Sequence, residues 1–179
     1  VTEYCIIGLL PSYLERQHSS LVYMVDKLIQ LSEFELHSIE QPIQKNNTDR
    51  MSELCKTTPF PIALDEELIG VFTLAEKEAL LQKIKPQYII LKPSFVGGFR
   101  GTNEWILLAE KYNIKWWITS ALESNIGLNA IAQWTFLKQN TMPQGLGTGA
   151  LFTNNFDCQL EVKKGQLWFK NDKEFHFDL

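Results

Sequence analysis

Four short apolar runs each end on residues able to bind a cation, move a proton or hold an anion. Glu35 to Ile39, read as a short strand, leads into Glu40-Gln41-Pro42, and Pro61-Ile62-Ala63-Leu64 leads into Asp65-Glu66-Glu67. Tyr88-Ile89-Ile90-Leu91 leads into Lys92-Pro93-Ser94, and the run from Lys115 to Thr119 leads into Ser120-Ala121-Leu122-Glu123-Ser124. Glu40 and Asp65 are hard oxygen donors at equivalent places in successive segments, an arrangement that suits Mg²⁺, which takes a few carboxylates and keeps water on its other positions. Taken alone, such an acid reads first as a solvated loop residue; the pair at matching places brings the metal reading level with it. Lys92 ends four apolar residues, and Pro93 denies the strand its next hydrogen bond, so the lysine is the last strand residue. A partly desolvated ammonium there serves as acid or base, or steadies developing negative charge; the plain alternative is a lysine whose stem covers apolar surface while its head reaches water. Ser94-Phe95-Val96-Gly97-Gly98 supplies a loop whose glycines allow close backbone approach. Thr119 and Ser120 offer hydroxyls, with backbone N–H groups at a helix start near Asn125, to a carboxylate ligand; ordinary capping by Ser124 competes for that reading. Gly145-Leu146-Gly147-Thr148-Gly149 is too glycine-rich for a helix and lacks the lysine of a phosphate-binding loop, so it reads as a rim loop.

These residues share one position only if the elements behind them repeat. Steps from Ile39 to Leu64, Ile90 and Trp117 are 25, 26 and 27 residues, the size of one strand-helix unit. Between the strands lie helical patterns: Leu21 to Leu31, Thr48 to Lys56 with Thr48 as cap and Asp49 in the first turn, Leu74 to Ile84 capped by Thr73, Asn103 to Tyr112, and Asn125 to Lys138. Short buried strands alternating with helices predict an α/β fold with a parallel sheet. A near-constant step, with polar residues after every strand, predicts part of a (β/α) barrel of the TIM type. The rival doubly wound sheet would gather its polar residues at one switch point, and no G-x-G-x-x-G turn occurs. Of the adjacent Trp116 and Trp117, one is expected to face the barrel and the other the helices. Gln159 to Lys163 and Gln166 to Lys170 alternate apolar and polar about Lys164-Gly165, which predicts a β-hairpin. The expected organisation is an unassigned segment 1–20, a partial barrel over 21–152 and a hairpin extension over 153–179.

Bulk properties narrow the partners. With 179 residues, 45% of them hydrophobic, the chain is long enough for one core. A formal charge of −4 and a pI near 5.4 argue against nucleic acid or an anionic membrane. No apolar run approaches the roughly 20 residues of a membrane span. The N-terminal apolar run has no basic residue before it and makes a poor signal peptide. Cys5, Cys55 and Cys158 form no C-x-x-C pair, and His18, His37 and His176 are scattered, so neither a zinc site nor a Ser-His-Asp arrangement is read. A reduced, cytoplasmic setting is the expectation.

Taken in series, Ile39-Glu40-Gln41-Pro42, Leu64-Asp65-Glu66, Leu91-Lys92-Pro93-Ser94, the run TSALESNIGL from Thr119 to Leu128, and Gly145-Leu146-Gly147-Thr148 resemble the enolase superfamily in its muconate-lactonising branch. Within that branch they look most like the o-succinylbenzoate synthases of menaquinone biosynthesis, over about residues 21 to 170. The resemblance implies the C-terminal part of a (β/α)7β barrel with a Mg²⁺ cofactor, Glu40 matching the second metal ligand and Asp65 the third. It implies that Lys92 stands across a small carboxylate substrate, where it stabilises an enediolate. Thr119 and Ser120 match the segment that binds the substrate's succinyl carboxylate, with Gly145 and Leu146 beside it; Ser94 joins the substrate-binding set. The implied reaction is proton abstraction α to a carboxylate, a Mg²⁺-stabilised enediolate, then loss of hydroxide. Amino-acid and dipeptide racemases of the superfamily share these motifs and would use Lys92 as a true second base.

The family's Lys-x-Lys strand, which carries the catalytic base, and its Asp-x-Asn strand, which carries the first metal ligand, have no counterpart before Glu40; Val1 to Tyr23 contains neither lysine nor aspartate. The expectation is therefore a fragment of a longer product, or first residues that come from a frame error or another source. Such a chain would act with a missing N-terminal fragment or by self-association, or serve as a non-catalytic half-barrel.

Overall fold

The computed structural model describes residues 36–149 and 151–171. The helix expected over Leu21 to Leu31, the segment before it, the start of the first strand at Glu35 and the last eight residues lie outside the described residues. Strands β1 (Ile39–Glu40), β2 (Ile62–Leu64), β3 (Tyr88–Leu91) and β4 (Lys115–Ile118) form one sheet in the order β1-β2-β3-β4. Between them run α1 (Thr48–Thr57), α2 (Leu74–Ile84) and α3 (Gly98–Lys111), followed by α4 (Asn125–Phe136). A separate antiparallel pair, β5 (Leu160–Lys163) and β6 (Gln166–Phe169), closes the described chain. The expected α/β class, parallel sheet and hairpin are present.

The chain divides into two compact units, one of residues up to Ile90 with Glu104–Lys115, the other of Leu91–Asn103 with residues from Trp116 onward. In the first unit the strands are parallel, with Ile39 opposite Ile62, Glu40 opposite Ala63, Ala63 opposite Tyr88 and Leu64 opposite Ile89. Ile62, Ala63, Leu64, Ile89 and Ile90 are all buried. A strand buried on both faces reads as an unbroken apolar run, which is why these segments show no alternation. Helix α1 buries Met51, Ser52 and Cys55, and Ser52 Oγ donates to the Lys83 carbonyl at 2.8 Å. The expected cap moves by one residue: Asn47 is the N-cap, without a side-chain bond, and Thr48 is the first helical residue. Helix α2 begins on a capping box in which Thr73 Oγ1 accepts from the Glu76 N–H at 3.3 Å and Glu76 accepts from the Thr73 N–H at 3.1 Å. It ends on Lys85 in the left-handed conformation, φ 55°. Lys77 is buried, and its ammonium meets Glu104 at 2.9 Å and lies 5.5 Å from the centre of the Trp105 ring, so its charge is paired as a buried charge must be.

In the second unit the glycine pair does more than make a loop. Gly97 (φ 95°) turns the chain, and α3 begins at Gly98 (φ 67°), ahead of the expected start at Asn103. Thr102 Oγ1 returns to the Gly98 carbonyl at 2.7 Å, tying down the new first turn. Helix α4 stops at Phe136 rather than Lys138. Phe99 stacks on Trp134 with ring centroids 4.9 Å apart. Trp116 is buried and Trp117 half-buried. The hairpin turns on Lys164 (φ 52°) and Gly165 (φ 73°), the two-residue loop with positive φ at both positions that matches strand twist.

Candidate functional site

Glu40 is the last residue of β1 and is half-buried; Asp65 follows β2 and is buried. Because Glu40 is paired with Ala63 and side chains alternate along a strand, Asp65 falls on the face shared by Glu40 and Ala63, one pleat further on. The residue between β1 and Pro42 joins the two acids. Gln41 is buried, and its Oε1 accepts from the Asp65 N–H at 3.0 Å and the Glu67 N–H at 3.3 Å. Its Nε2 donates to the Ile43 carbonyl at 3.0 Å and to Glu67 Oε2 at 3.2 Å. The Glu67 carboxylate, also buried, accepts in addition from the Asn46 N–H at 3.2 Å.

Lys92, Ser94, Thr119, Ser120, Gly145 and Leu146 belong to the second unit. Lys92 directly follows β3 and is half-buried, and its carbonyl accepts from the Phe95 N–H at 2.8 Å and the Val96 N–H at 3.2 Å, which starts the turn into Gly97. Ser94 and Ser120 converge on a residue to which the sequence reading gave no role. Ser94 Oγ donates to Glu123 Oε1 at 2.5 Å, Ser120 Oγ donates to Glu123 Oε2 at 2.7 Å, and the Ala121 N–H donates to the same oxygen at 2.9 Å. The Leu122 N–H donates to Ser120 Oγ at 2.8 Å, and Leu122 takes up a left-handed φ of 64°. Burial pushes the Glu123 carboxyl up, and the hydrogen bonds from Ser94, Ser120 and the backbone outweigh it, holding the group below its ordinary value. Both serine protons are thus engaged by an internal carboxylate with which a ligand oxygen has to compete.

Thr119 and Gly145 are joined more tightly. They form a parallel bridge, with the Gly145 N–H donating to the Ile118 carbonyl at 2.8 Å. The Gly145 carbonyl accepts from the Ser120 N–H at 3.0 Å and from Thr119 Oγ1 at 2.9 Å. A Cβ on Gly145 would lie 2.4 Å from Thr119 Oγ1, so only glycine fits. Part of the glycine-rich rim loop is therefore a strand-like partner of Thr119. Leu146 is buried. At the start of α4, Ser124 occupies the cap position without a side-chain bond, and the Asn125 N–H is taken by Asn155 Oδ1 at 2.7 Å. A groove of about 1000 Å³ runs between α4, the Pro143–Gly147 segment and the hairpin, lined mainly by apolar side chains; Leu146 is the predicted site residue on its wall.

Among the described residues no group of three or more His, Cys, Asp or Glu is gathered for a metal ion. The Glu40 and Asp65 pair nonetheless fits Mg²⁺ in the chemistry of its donors, since that ion is commonly held through one or two carboxylates with water completing its shell. Burial pushes the Cys55 thiol up to about 11, which leaves it a packing residue and not a nucleophile. No helix among the described residues is long and apolar enough to cross a membrane.

Gln41 and Glu123 were missed by sequence reasoning although both stand inside the motifs that drew attention. The distant partners, Asp65 and Glu67 for Gln41 and Ser94 for Glu123, lie 24, 26 and 29 residues away, beyond any local pattern. The available signal was a polar residue wedged between an acid and a proline, and a glutamate flanked by hydroxyls.

Residues 19–172 match the family described as enolase C-terminal domain-like, and the chain belongs to that family. It is 57% identical over 141 residues to the o-succinylbenzoate synthase of Desulfotalea psychrophila, an alignment that covers 79% of this chain and 38% of that enzyme. The crystal structure of MenC from Desulfotalea psychrophila LSv54 superimposes with a TM-score of 0.74 at 57% identity, over 79% of this chain and 40% of that one. Muconate lactonizing enzyme from Pseudomonas putida gives 0.64 at 27% identity, over 74% and 37%. The L-Ala-D/L-Glu epimerase of Bacillus subtilis is 28% identical over 102 residues, 57% of this chain and 27% of that one. The chain thus spans about two-fifths of the Desulfotalea psychrophila enzyme.

Proposed function

We propose that this chain is the C-terminal barrel portion of an o-succinylbenzoate synthase and works with a further segment that completes a (β/α)7β barrel. The observation that carries the reading is the 57% identity over 141 residues, 79% of this chain, to the Desulfotalea psychrophila enzyme. In this reading Glu40 and Asp65 are two of the Mg²⁺ ligands. Mg²⁺, when bound, supplies positive charge at the substrate carboxylate, where negative charge grows as the α-proton leaves. Lys92 brings a second positive charge to the developing enediolate, and such preorganised charge is where catalysis gains most. The base that takes the α-proton lies outside this chain's motifs. Thr119, Ser120 and Ser94, with Gly145 and Leu146, form the wall that receives the succinyl carboxylate. A backbone N–H or an ordered water carries part of that contact, because the serine hydroxyls already serve Glu123.

The test supplies the missing part. The chain is co-expressed with the N-terminal portion of the Desulfotalea psychrophila enzyme, and formation of o-succinylbenzoate is followed by its ultraviolet absorbance. Turnover that disappears on Lys92→Ala supports the reading; a purified assembly with no dehydratase activity counts against it. The epimerase similarity keeps a second reading in view. Exchange of an amino-acid α-proton with solvent deuterium from both faces, without dehydration, would select it.

A further inference from the structure

From the four hydrogen bonds of its buried carboxamide we infer that Gln41 is the positioning residue of the two-carboxylate cation site, fixing where Asp65 stands relative to Glu40. The inference rests on the reading of Glu40 and Asp65 as ligands and adds to it the device that holds them together. A primary amide has two donor hydrogens and two acceptor lone pairs, and here all four are used: two backbone N–H groups on the oxygen, a carbonyl and a carboxylate on the nitrogen. The reverse orientation would set the NH₂ against two N–H donors and the oxygen against a carboxylate, so the side chain has one possible setting. Its backbone is fixed as well, with the Gln41 N–H donating to the Ala63 carbonyl at 2.9 Å. Gln41 therefore directly follows β1, is held beside β2, and reaches past Leu64 to accept from the Asp65 and Glu67 N–H groups of the turn.

That turn needs holding. Asp65 has φ −125° and ψ −83°, outside both the helical and the strand regions, and stands at the N-cap of the short 3₁₀ turn Glu66–Leu68 with no side-chain capping hydrogen bond. Gln41 itself takes a positive φ of 36°, unfavourable for a residue with a β-carbon. Two adjacent ligand-bearing segments in unfavourable conformations, bridged by one buried amide, are the mark of a geometry imposed on the acids rather than of ordinary packing.

Mn²⁺ serves as the probe, titrated against the full 179-residue chain by water-proton relaxation with Mg²⁺ as competitor. Glu40→Gln, Asp65→Asn, Gln41→Met and Gln41→Glu are compared with the wild type, each well below its melting temperature. Methionine keeps the shape and removes all four bonds; glutamate keeps the shape and turns an oxygen toward Glu67 and the Ile43 carbonyl. The expected result is loss of the competed Mn²⁺ signal in the Glu40 and Asp65 variants and about a tenfold weakening in both Gln41 variants. Faster amide exchange at Asp65 and Glu67 accompanies it. If the Glu40 and Asp65 variants lose the signal while the Gln41 variants titrate like wild type, the positioning role is overturned and the ligand reading stands. If all four variants titrate like wild type, the ligand reading fails and the inference fails with it. A lower melting temperature with unchanged Mn²⁺ affinity assigns Gln41 to stability alone and also overturns the inference.

Discussion

Replacing Gly145 by alanine should cost far more than one added methyl group suggests. The new Cβ would stand 2.4 Å from Thr119 Oγ1 and 2.8 Å from Thr119 Cβ, where 3.4 Å begins ordinary contact, so one partner must retreat by about 1 Å. Neither is free to do so. Gly145 is held through its N–H by the Ile118 carbonyl at 2.8 Å, and its own carbonyl accepts from Ser120 at 3.0 Å and Thr119 Oγ1 at 2.9 Å. Overpacking of a closed site costs about 1–3 kcal/mol, and each hydrogen bond broken by the shift adds about 1 kcal/mol. The expected loss for Gly145→Ala is therefore about 2–3 kcal/mol, which at about 2–4 °C per kcal/mol is a visible fall in melting temperature. A double-mutant cycle identifies the cause. Thr119→Ala leaves the Cβ overlap at 2.8 Å and should rescue only in part; Thr119→Gly removes both overlaps, leaving Thr119 Cα at an ordinary 3.5 Å. Circular dichroism melts of six proteins, the wild type, the three single variants and the two double variants, measure the coupling. Additive effects, or a Gly145→Ala variant within about 0.5 kcal/mol of wild type, would refute the steric account and with it the tight seating of this rim segment on Thr119.

Glu123 gives a pH prediction. Its folded pKa is lowered below an ordinary 4.5, so its contribution to stability is complete above that value and is lost as pH falls through the folded pKa. Glu123→Gln should be less stable than wild type at pH 7 and should converge on it in acid denaturation series; parallel pH profiles would contradict this. Mg²⁺ binding by the chain alone should be weak, since the two carboxylates leave the ion dependent on water it gives up reluctantly; calorimetry showing micromolar affinity would point to a further ligand. The purified chain should form no o-succinylbenzoate, because a positioned base is worth about 10²–10⁴-fold and none of its motifs supplies one. It should also associate in light scattering, given the exposure of Phe136 (83%), Leu137 (75%) and Trp168 (53%); an active, well-behaved monomer would defeat both statements.

The parts of this fold that were legible in the sequence are those written in nearest neighbours. Apolar runs bounded by polar residues marked β2 and β3, and Thr73 with Glu76 three residues later marked the start of α2, because a capping box is a local bond pattern. Where a local signal was ambiguous the reading erred in a definite direction. Gly97-Gly98 looks like a loop by composition, yet one glycine makes the turn and the other opens α3, since a glycine at positive φ can immediately precede helical residues. The same limit governs the site. Strand ends could be located, and so could the acids, the lysine and the hydroxyls upon them, but not the orientation of those groups. Gln41 is bound to Asp65 and Glu67, and Glu123 to Ser94, across a full strand-helix unit. These pairings exist only because parallel strands bring equivalent positions of successive units side by side. In a repeating α/β chain, then, residues one unit apart are the natural place to look for the polar groups that set functional side chains. The residue just after each strand deserves that scrutiny most, since it can reach its neighbour's turn without leaving its own. Gln41 does so on one strand end, and on another Ser94, in the turn after β3, reaches Glu123 in the turn after β4.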